Sequence, residues 1–348
     1  MKTATITFHW AVNYGAVLQA WALQKHLEAA GFDTEIIDYR PRAVTLKQNL
    51  RALKKLDRGH FRQARNLEAF RREHLQLTER RFASSGALAK AAPAYGAIIA
   101  GSDQIWNESF TLRGEGRKTL SYFLSFAPEE TRRVGYAVSF GFHQPTEAYA
   151  AAVRDELRRF SAVSVREADG LDILRALGCE GEVVCDPTAL VRRGEYEKLI
   201  APAELKKRKV FPYILRGNAQ AWQAARCAGE LVGQEIRPER FTGTMGEWLG
   251  AIAGAELVVT NSFHGTMLSV ILGRPFIALT TAGSGMNSRL TTLAEHLGLA
   301  DRVLEGFDRE RVEALARQEI DWEKVEERLE ALRSTGADFL ARALAGLA

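Results

Sequence analysis

Apolar residues along the chain fall into short continuous runs, separated by longer segments in which they recur every three or four positions. The first run, TATITF (Thr3 to Phe8), passes through the turn residues NYG into AVLQAWALQKHLEAAG. There Ala16, Ala20, Leu23 and Leu27 make an i, i+4, i+7, i+11 stripe. That spacing predicts a helix with one apolar face, closed by Gly31. TEIIDY (Thr34 to Tyr39) predicts the next strand, followed by AIIAG (Ala97 to Gly101), RVGYAVSF (Arg133 to Phe140), AVSVRE (Ala162 to Glu167) and EVVCDPT (Glu182 to Thr188). Helical stretches lie between several of these, and such alternation predicts a mostly parallel sheet covered by helices.

A polar stretch rich in Lys, Arg and Glu, from Arg192 to Lys209, interrupts the pattern and reads as a domain junction. A second series then begins with VFPYILRG (Val210 to Gly217) and the helix AQAWQAARCAGELVG. It continues through ELVVT, the helix GTMLSVILG, PFIAL (Pro275 to Leu279) and a helix around Leu290 to Gly298. The expected fold class is α/β, with two doubly wound Rossmann-like domains at 1–200 and 201–320 and a charged C-terminal helix, 321–348, packing back. A length of 348 residues exceeds the usual limit of one hydrophobic core. Two such halves joined by a linker form the architecture of B-type glycosyltransferases (GT-B). In sheets of this kind ligands bind beyond the carboxyl ends of the strands.

Composition narrows the class. The apolar fraction of 46% and charged fraction of 26% are those of a soluble globular chain. No run approaches the roughly 18 apolar residues of a membrane span, and MKTATITFHW reads as a strand rather than a secretory leader, so a cytoplasmic protein is expected. Cys179, Cys185 and Cys227 form no CxxC pair, which fits reduced, buried thiols and no zinc site; only Cys185, beside Asp186 at a strand end, stands where a site could form. The net charge of +4 hides an asymmetry: Lys47 to Lys90 holds 12 Lys or Arg against 4 Asp or Glu. The insert 44–90 reads as helical, with a solvated basic face. A sharper reading makes cations such as Lys54, Lys55, Arg71 and Arg72 a docking surface for a lipid-diphosphate-linked acceptor or for the inner membrane leaflet. No nucleic-acid module accompanies the charge, so nucleic acid is not an expected partner. Homo-oligomerisation stays open.

The strand-end rule singles out a few loops. TNSFHGT (Thr260 to Thr266) places His264 between a strand and a helix N-terminus, where backbone N–H groups and the helix dipole favour an anion. Asn261, Ser262 and Thr266 add polar groups, and Gly265 would let the backbone approach a ligand closely. An imidazole beside an anion could bind it by charge or donate a proton as general acid; the same residue could equally cap the helix. Arg216, ending the strand FPYIL, and Arg289, opening a helix after a Gly-rich loop, are forks for phosphate or carboxylate. In the first domain Asn13, Tyr14 and Gly15 occupy the matching strand-to-helix turn, without a GxGxxG or GxxxxGK[ST] pattern, which disfavours nicotinamide dinucleotides and P-loop nucleotides. GSDQIWN (Gly101 to Asn107) packs Ser102, Asp103, Gln104 and Trp106 into one loop, a composition suited to sugar hydroxyls and to stacking on a sugar face. Asp103 could act as a base toward a hydroxyl. Arg166 reads as a structural ion-pair partner of Glu167 or Asp169.

Taken in order, ITFHWAVNYGAVLQAWALQKHLE, IIDYRP, GSDQIWN, SVRE, CDPT and VVTNSFHGTMLSVILGRPFI closely resemble the polysaccharide pyruvyl transferase family, from about Thr5 to Arg302. The resemblance implies a GT-B-like fold and transfer of a pyruvyl group from phosphoenolpyruvate to a sugar of a cell-surface polysaccharide or its lipid-linked precursor, forming a cyclic ketal. It implies that His264 contacts the donor phosphate and that Arg216 is the family's strand-end arginine. Phosphoenolpyruvate is then a donor substrate, and neither a cofactor nor a metal is expected. Arg216, Asn261, Ser262, Gly265, Thr266 and Arg289 would hold the donor, with His264 and Asp103 catalytic. Asn13, Tyr14, Gly15, Ser102, Gln104 and Trp106 would hold the acceptor. Two other readings stay open on the residues alone: a glycosyltransferase with a nucleotide-sugar donor, and a non-catalytic glycan-binding or assembly protein.

Overall fold

The computed structural model describes residues 1–54, 56–91, 95–111, 119–281 and 287–347. The chain divides into two compact units, the first made of 1–190 and 333–348 and the second of 191–332. Each is built around one parallel sheet.

The first unit's strands are β1 (Thr3–Ile6), β2 (Thr34–Ile36), β3 (Ala97–Asp103), β4 (Arg132–Val138), β5 (Ala162–Val165) and β6 (Glu182–Val183), in spatial order β2-β1-β3-β4-β5-β6. Every pairing is parallel. Helices on its faces cover the sheet, so β1 is buried throughout and β3 in all but its last residue; that is why these strands read as continuous apolar runs instead of alternating. The step from β1 to β3 across one sheet is the topological switch point where α/β sheets open a crevice. Between β2 and β3 the chain makes the helices Arg42–Lys54, Arg58–His74 and Ser85–Ala91.

The second unit's strands are β7 (Arg208–Tyr213), β8 (Ala255–Thr260), β9 (Phe276–Thr280) and β10 (Val303–Glu305), ordered β10-β9-β8-β7 and all parallel. Val210, Val259, Ile277, Leu279 and Leu304 form its core with Ala221, Ala224, Ala225 and Ala228 of the helix Ala219–Leu231. Small alanines on that helix bring its axis close to the sheet. The edge strand β10, with only Val303 and Leu304 apolar between Arg302 and Glu305, forms no apolar run long enough to mark it.

The stretch 192–209 is not a free linker. Its helix Arg193–Glu197 and the backbone of Leu199 to Lys206 belong to the second unit. The backbone from Leu199 to Lys206 lies against the helix Met245–Ala253 along Gly246, Gly250 and Gly254, where an added Cβ would come within 2.7 Å of the Leu199 carbonyl, 2.5 Å of the Glu204 carbonyl and 2.2 Å of the Lys206 carbonyl. Glycines four residues apart make one flat track on the helix face, and polar side chains on the segment hide that attachment from a composition reading. The boundary therefore falls at 190/191, ten residues before the expected one.

The tail helix, Trp322–Ala343, starts in the second unit and ends in the first. In the first unit the Arg333 Nε donates to the Ala189 carbonyl at 2.8 Å and Arg342 pairs with Glu182 at 2.6 Å. The N-terminal ammonium donates to the Leu347 carbonyl at 2.8 Å.

The glycine track yields a prediction. Gly250→Ala should destabilise the protein by about 1–3 kcal/mol through overpacking, read as a lower urea midpoint with an unchanged m-value. An unaltered midpoint would contradict the packing described.

Candidate functional site

At the carboxyl edge of the first sheet the ends of β3, β5 and β6 converge on one guanidinium. The Arg166 side chain is fully buried; its Nη1 donates to Asp186 Oδ2 at 2.8 Å and its Nη2 to Asp103 Oδ1 at 2.9 Å, with Glu167 3.7 Å from Nε. Burial alone would lower the Arg166 pKa, but the three carboxylates outweigh it and raise it, so the charge is held. Asp186 Oδ1 accepts from the backbone N–H and hydroxyl of Thr188 at 3.0 and 2.7 Å, and Glu167 Oε1 accepts from the Phe140 N–H at 3.2 Å. Arg166 thus pairs structurally, with Glu167 as expected and with two further carboxylates. Asp169 pairs instead with His143 at 3.0 Å.

The loop GSDQIWN is held from both sides. Gln19, from the helix Tyr14–Ala29, accepts from the Ser102 N–H at 3.0 Å and donates to Thr7 Oγ1 at 2.8 Å, while Thr7 donates to the Ser102 carbonyl at 3.0 Å. The Ser102 hydroxyl donates to the Ala137 carbonyl at 2.6 Å. Gly101 has φ +147°, and a Cβ there would sit 2.0 Å from the Tyr136 carbonyl oxygen, so only glycine lets β3 run this close to β4. Of the polar side chains, Asp103 is 18% exposed and Gln104 is buried with an Nε2 that has no hydrogen-bond partner among the described residues.

Several expected acceptor contacts are corrected here. Trp106 is not a stacking platform: it is fully buried, lies parallel to Phe123 with centroids 4.8 Å apart, and donates from Nε1 to the Tyr122 carbonyl at 2.9 Å. Ser102 is fully buried in the loop-holding network just described. Tyr14 is fully buried and Gly15 lies inside the helix; Asn13 caps that helix, its Oδ1 accepting from the Ala16 N–H at 3.2 Å. The Cys185 thiol is buried beside Tyr136 and pushed up to about 12 by burial, which removes it as a nucleophile.

The sequence reading missed the groups beyond β1 and β2. The ring of His9 lies with Nε2 3.0 Å from Asp38 Oδ1, and Asp38 also pairs with Arg40 and, at 2.9 Å, with Arg81. Burial opposes ionisation of Asp38, but the His9 and Arg40 contacts outweigh it and hold the carboxyl well below its ordinary value. Arg71 is buried, contrary to its reading as a surface cation; its Nε donates to the His9 carbonyl at 2.6 Å and its Nη1 meets Glu68 at 3.2 Å. A basic residue inside a basic run gives no sign of turning inward, so burial of Arg71 was not legible. Aromatic side chains gather at the same edge: Phe8 meets Trp10, Phe110 and Tyr122 edge-on at centroid distances of 6.0, 5.7 and 4.9 Å, Phe110 is exposed, and Trp10 is half-buried.

The second unit carries the histidine loop. Register sets Tyr213, Thr260 and Ala278 side by side, so β7 and β8 end level, β9 runs two residues further, and their following loops share one edge. Those loops are laced: Asn261 accepts from the Leu215 N–H at 2.7 Å and donates to its carbonyl at 3.0 Å, and Asn218 donates to Thr281 Oγ1 at 3.1 Å. Asn287 donates to the Thr281 carbonyl at 2.6 Å. Asn261 is thereby a brace for the Arg216 loop rather than a ligand group.

His264 sits in the first turn of the helix Phe263–Ile271, not in the loop before it, and is buried. Ser262 caps that helix, accepting from the Gly265 N–H at 3.2 Å, and its hydroxyl hydrogen remains to donate. Gly265 serves packing instead of ligand approach: a Cβ would lie 2.7 Å from Thr260 Oγ1 and 3.0 Å from Tyr213 Cδ1. The buried Thr266 hydroxyl has no hydrogen-bond partner among the described residues. Arg216, exposed, has φ +56° and precedes Gly217 at φ +63°, a left-handed turn three residues past β7. Arg289 is half-buried in the first turn of Ser288–Leu297; the Gly-rich loop ahead of it, 282–286, lies outside the described residues, as does Lys55. One edge therefore carries two arginines, a histidine, two hydroxyls and the positive ends of two helices, which suits a small polyanion.

A family model described as polysaccharide pyruvyl transferase matches residues 13–283. Among solved structures, the chain is similar to UDP-N-acetylglucosamine 2-epimerase from Rickettsia bellii, with TM-score 0.54, 9% identity and 98% of each chain covered. It is also similar to UDP-GlcNAc 2-epimerase from Neisseria meningitidis, with TM-score 0.52, 12% identity and 99% of each chain covered. A glycotransferase of kitacinnamycin gives TM-score 0.50 and 14% identity over 98% of each chain. These likenesses show the fold, two Rossmann-like units of the GT-B kind. Curated proteins give no significant sequence match.

Two predictions follow from the charged networks. Arg166→Met leaves three carboxylates around an uncharged side chain and should cost about 3–5 kcal/mol of stability, measured by urea unfolding; wild-type stability in the variant would refute the network's role. Asp38, held below its ordinary value of 3.8, contributes stability that is present above that value and lost as pH falls through the lower folded-state value. Unfolding free energy should accordingly fall with acidification below about pH 4, and less steeply in Asp38→Asn.

Proposed function

The chain belongs to the polysaccharide pyruvyl transferase family, and we propose that it transfers a pyruvyl group from phosphoenolpyruvate to two hydroxyls of a sugar in a polysaccharide or its lipid-linked precursor. The observation that carries this reading is the edge of the second unit, where Arg216, His264 and Arg289 follow three adjacent parallel strands. Phosphoenolpyruvate bears a phosphate and a carboxylate and so requires at least two cationic groups. Arg216 and Arg289 are forks for these anions. The helix N-terminus at Ser262, with the hydroxyls of Ser262 and Thr266, is a seat for phosphate oxygens.

In the proposed reaction His264 donates a proton to the methylene carbon of phosphoenolpyruvate, making C2 electrophilic. A first sugar hydroxyl adds to C2 and gives up its proton. The second hydroxyl then displaces phosphate from the same carbon, closing a cyclic ketal and releasing inorganic phosphate. Asp103, the partly exposed acid at the end of β3, is the group of the first unit assigned to acceptor hydroxyls. In the first unit the half-buried Trp10 and the exposed Phe110 take the stacking role first given to Trp106. No step draws on a metal or a resident cofactor. The protein acts on a cytoplasmic pool of donor.

Phosphate release from phosphoenolpyruvate in the presence of sugar acceptors tests the reading. His264→Ala should lower kcat by about 100-fold or more, and Arg216→Ala should raise KM for phosphoenolpyruvate by about tenfold or more. Full turnover in His264→Ala would remove it from the chemistry. Thermal stabilisation by nucleoside diphosphates and none by phosphoenolpyruvate would replace this donor with a nucleotide sugar.

A further inference from the structure

Of the eight large apolar side chains exposed among the described residues, five fall within 16 residues of one another: Leu46 at 61%, Leu50 at 48%, Leu53 at 60%, Leu56 at 80% and Phe61 at 41%. Leu46, Leu50 and Leu53 stand at i, i+4 and i+7 of the helix Arg42–Lys54, so they share one face. Leu56 lies in the turn that follows, and Phe61 in the first turn of the helix Arg58–His74. Single exposed leucines need no explanation, but a row of them on one face marks an interaction surface.

The charge around the row chooses the partner. From Arg42 to Leu67 the sequence has eight Lys or Arg and one acid, Asp57, which caps the helix Arg58–His74 by accepting from the His60 N–H. Arg42, Lys54, Arg58, Arg62 and Arg65 are exposed. A second copy of this chain seated on the same patch through a two-fold axis would oppose cation to cation. An apolar stripe rimmed by cations instead matches the boundary between acyl chains and anionic headgroups, where leucines enter the hydrocarbon and Lys or Arg stay with the phosphates.

We propose that the helix Arg42–Lys54 and the turn into Arg58–His74 dock the first unit onto an anionic phospholipid surface, with Leu46, Leu50, Leu53, Leu56 and Phe61 as the inserted residues. The docking is reversible, since the stripe is short and neither helix is long and apolar enough to cross a bilayer. It is independent of the identity of the donor: a protein that proves to use another donor keeps this surface.

Co-sedimentation with vesicles of equal parts phosphatidylglycerol and phosphatidylcholine tests the docking on the full chain. The wild type should pellet with these vesicles, weakly with phosphatidylcholine alone, and less at high salt. The triple variant Leu46→Glu, Leu53→Glu, Leu56→Glu should lower the vesicle-bound fraction about tenfold, as should Arg58→Glu with Arg62→Glu. Because all five positions are exposed, both variants should keep the wild-type thermal midpoint, and the unchanged midpoint separates lost docking from lost folding. Wild type that stays in the supernatant, or a triple variant that pellets as wild type does, would overturn the proposal. So would a concentration-dependent dimer in light scattering that the triple variant abolishes, which would assign the stripe to a second copy.

Discussion

The first unit depends on one buried charge. A guanidinium with no solvent access must be neutralised, and Arg166 takes its counter-charges from the ends of three strands: Asp103 as the last residue of β3, Glu167 beside it after β5, and Asp186 after β6. Because the three carboxylates come from separate strands, their meeting at one cation ties the strand ends to a single arrangement. The loop that begins with Ser102 and Asp103 inherits that rigidity, reinforced by Gln19 and Thr7 from the first β–α connection. A buried ionic cluster is weak support for net stability but strong support for geometry, because loss of the arginine leaves three carboxylates uncompensated.

This explains a division of labour among the motifs. SVRE, CDPT and most of GSDQIWN supply the network and the core beneath it, with Trp106 packed on Phe123 and Asp186 engaged with Thr188. They shape the edge of the sheet more than they present groups to a ligand. In the second unit the same principle appears in neutral form: Asn261, Asn218 and Asn287 lace the loops after β7, β8 and β9, and Thr260 donates to the Tyr213 carbonyl at 2.6 Å. At the same edge stand Arg216, Arg289, His264 and the hydroxyls of Ser262 and Thr266.

Much of this was legible in the chain. Continuous apolar runs revealed nine of the ten strands among the described residues, because parallel strands covered on both faces need no alternation. What was not legible has a common physical cause. Composition does not distinguish an indole that stacks on a ligand from one that stacks on Phe123, nor a surface arginine from Arg71, which reaches the His9 carbonyl across 62 residues of sequence. Gly265 reads as a place for ligand approach until Thr260 and Tyr213 are seen to occupy the space. The junction at 192–209 looked like a linker because its charges face solvent while its backbone rests on a glycine track. Long-range partners decided each of these cases, and they are set by the fold and not by neighbours in sequence.

The donor anion is proposed to sit on the second unit, at the edge formed by β7, β8 and β9. A crystal structure with phosphoenolpyruvate bound tests this placement most directly. The phosphate is expected at the start of the helix Phe263–Ile271, within hydrogen-bond distance of Ser262 or Thr266 and of the Arg216 or Arg289 guanidinium, with His264 against the methylene carbon. Phosphoenolpyruvate bound instead at the first unit's edge beside Asp103, with the His264 loop empty, would contradict it.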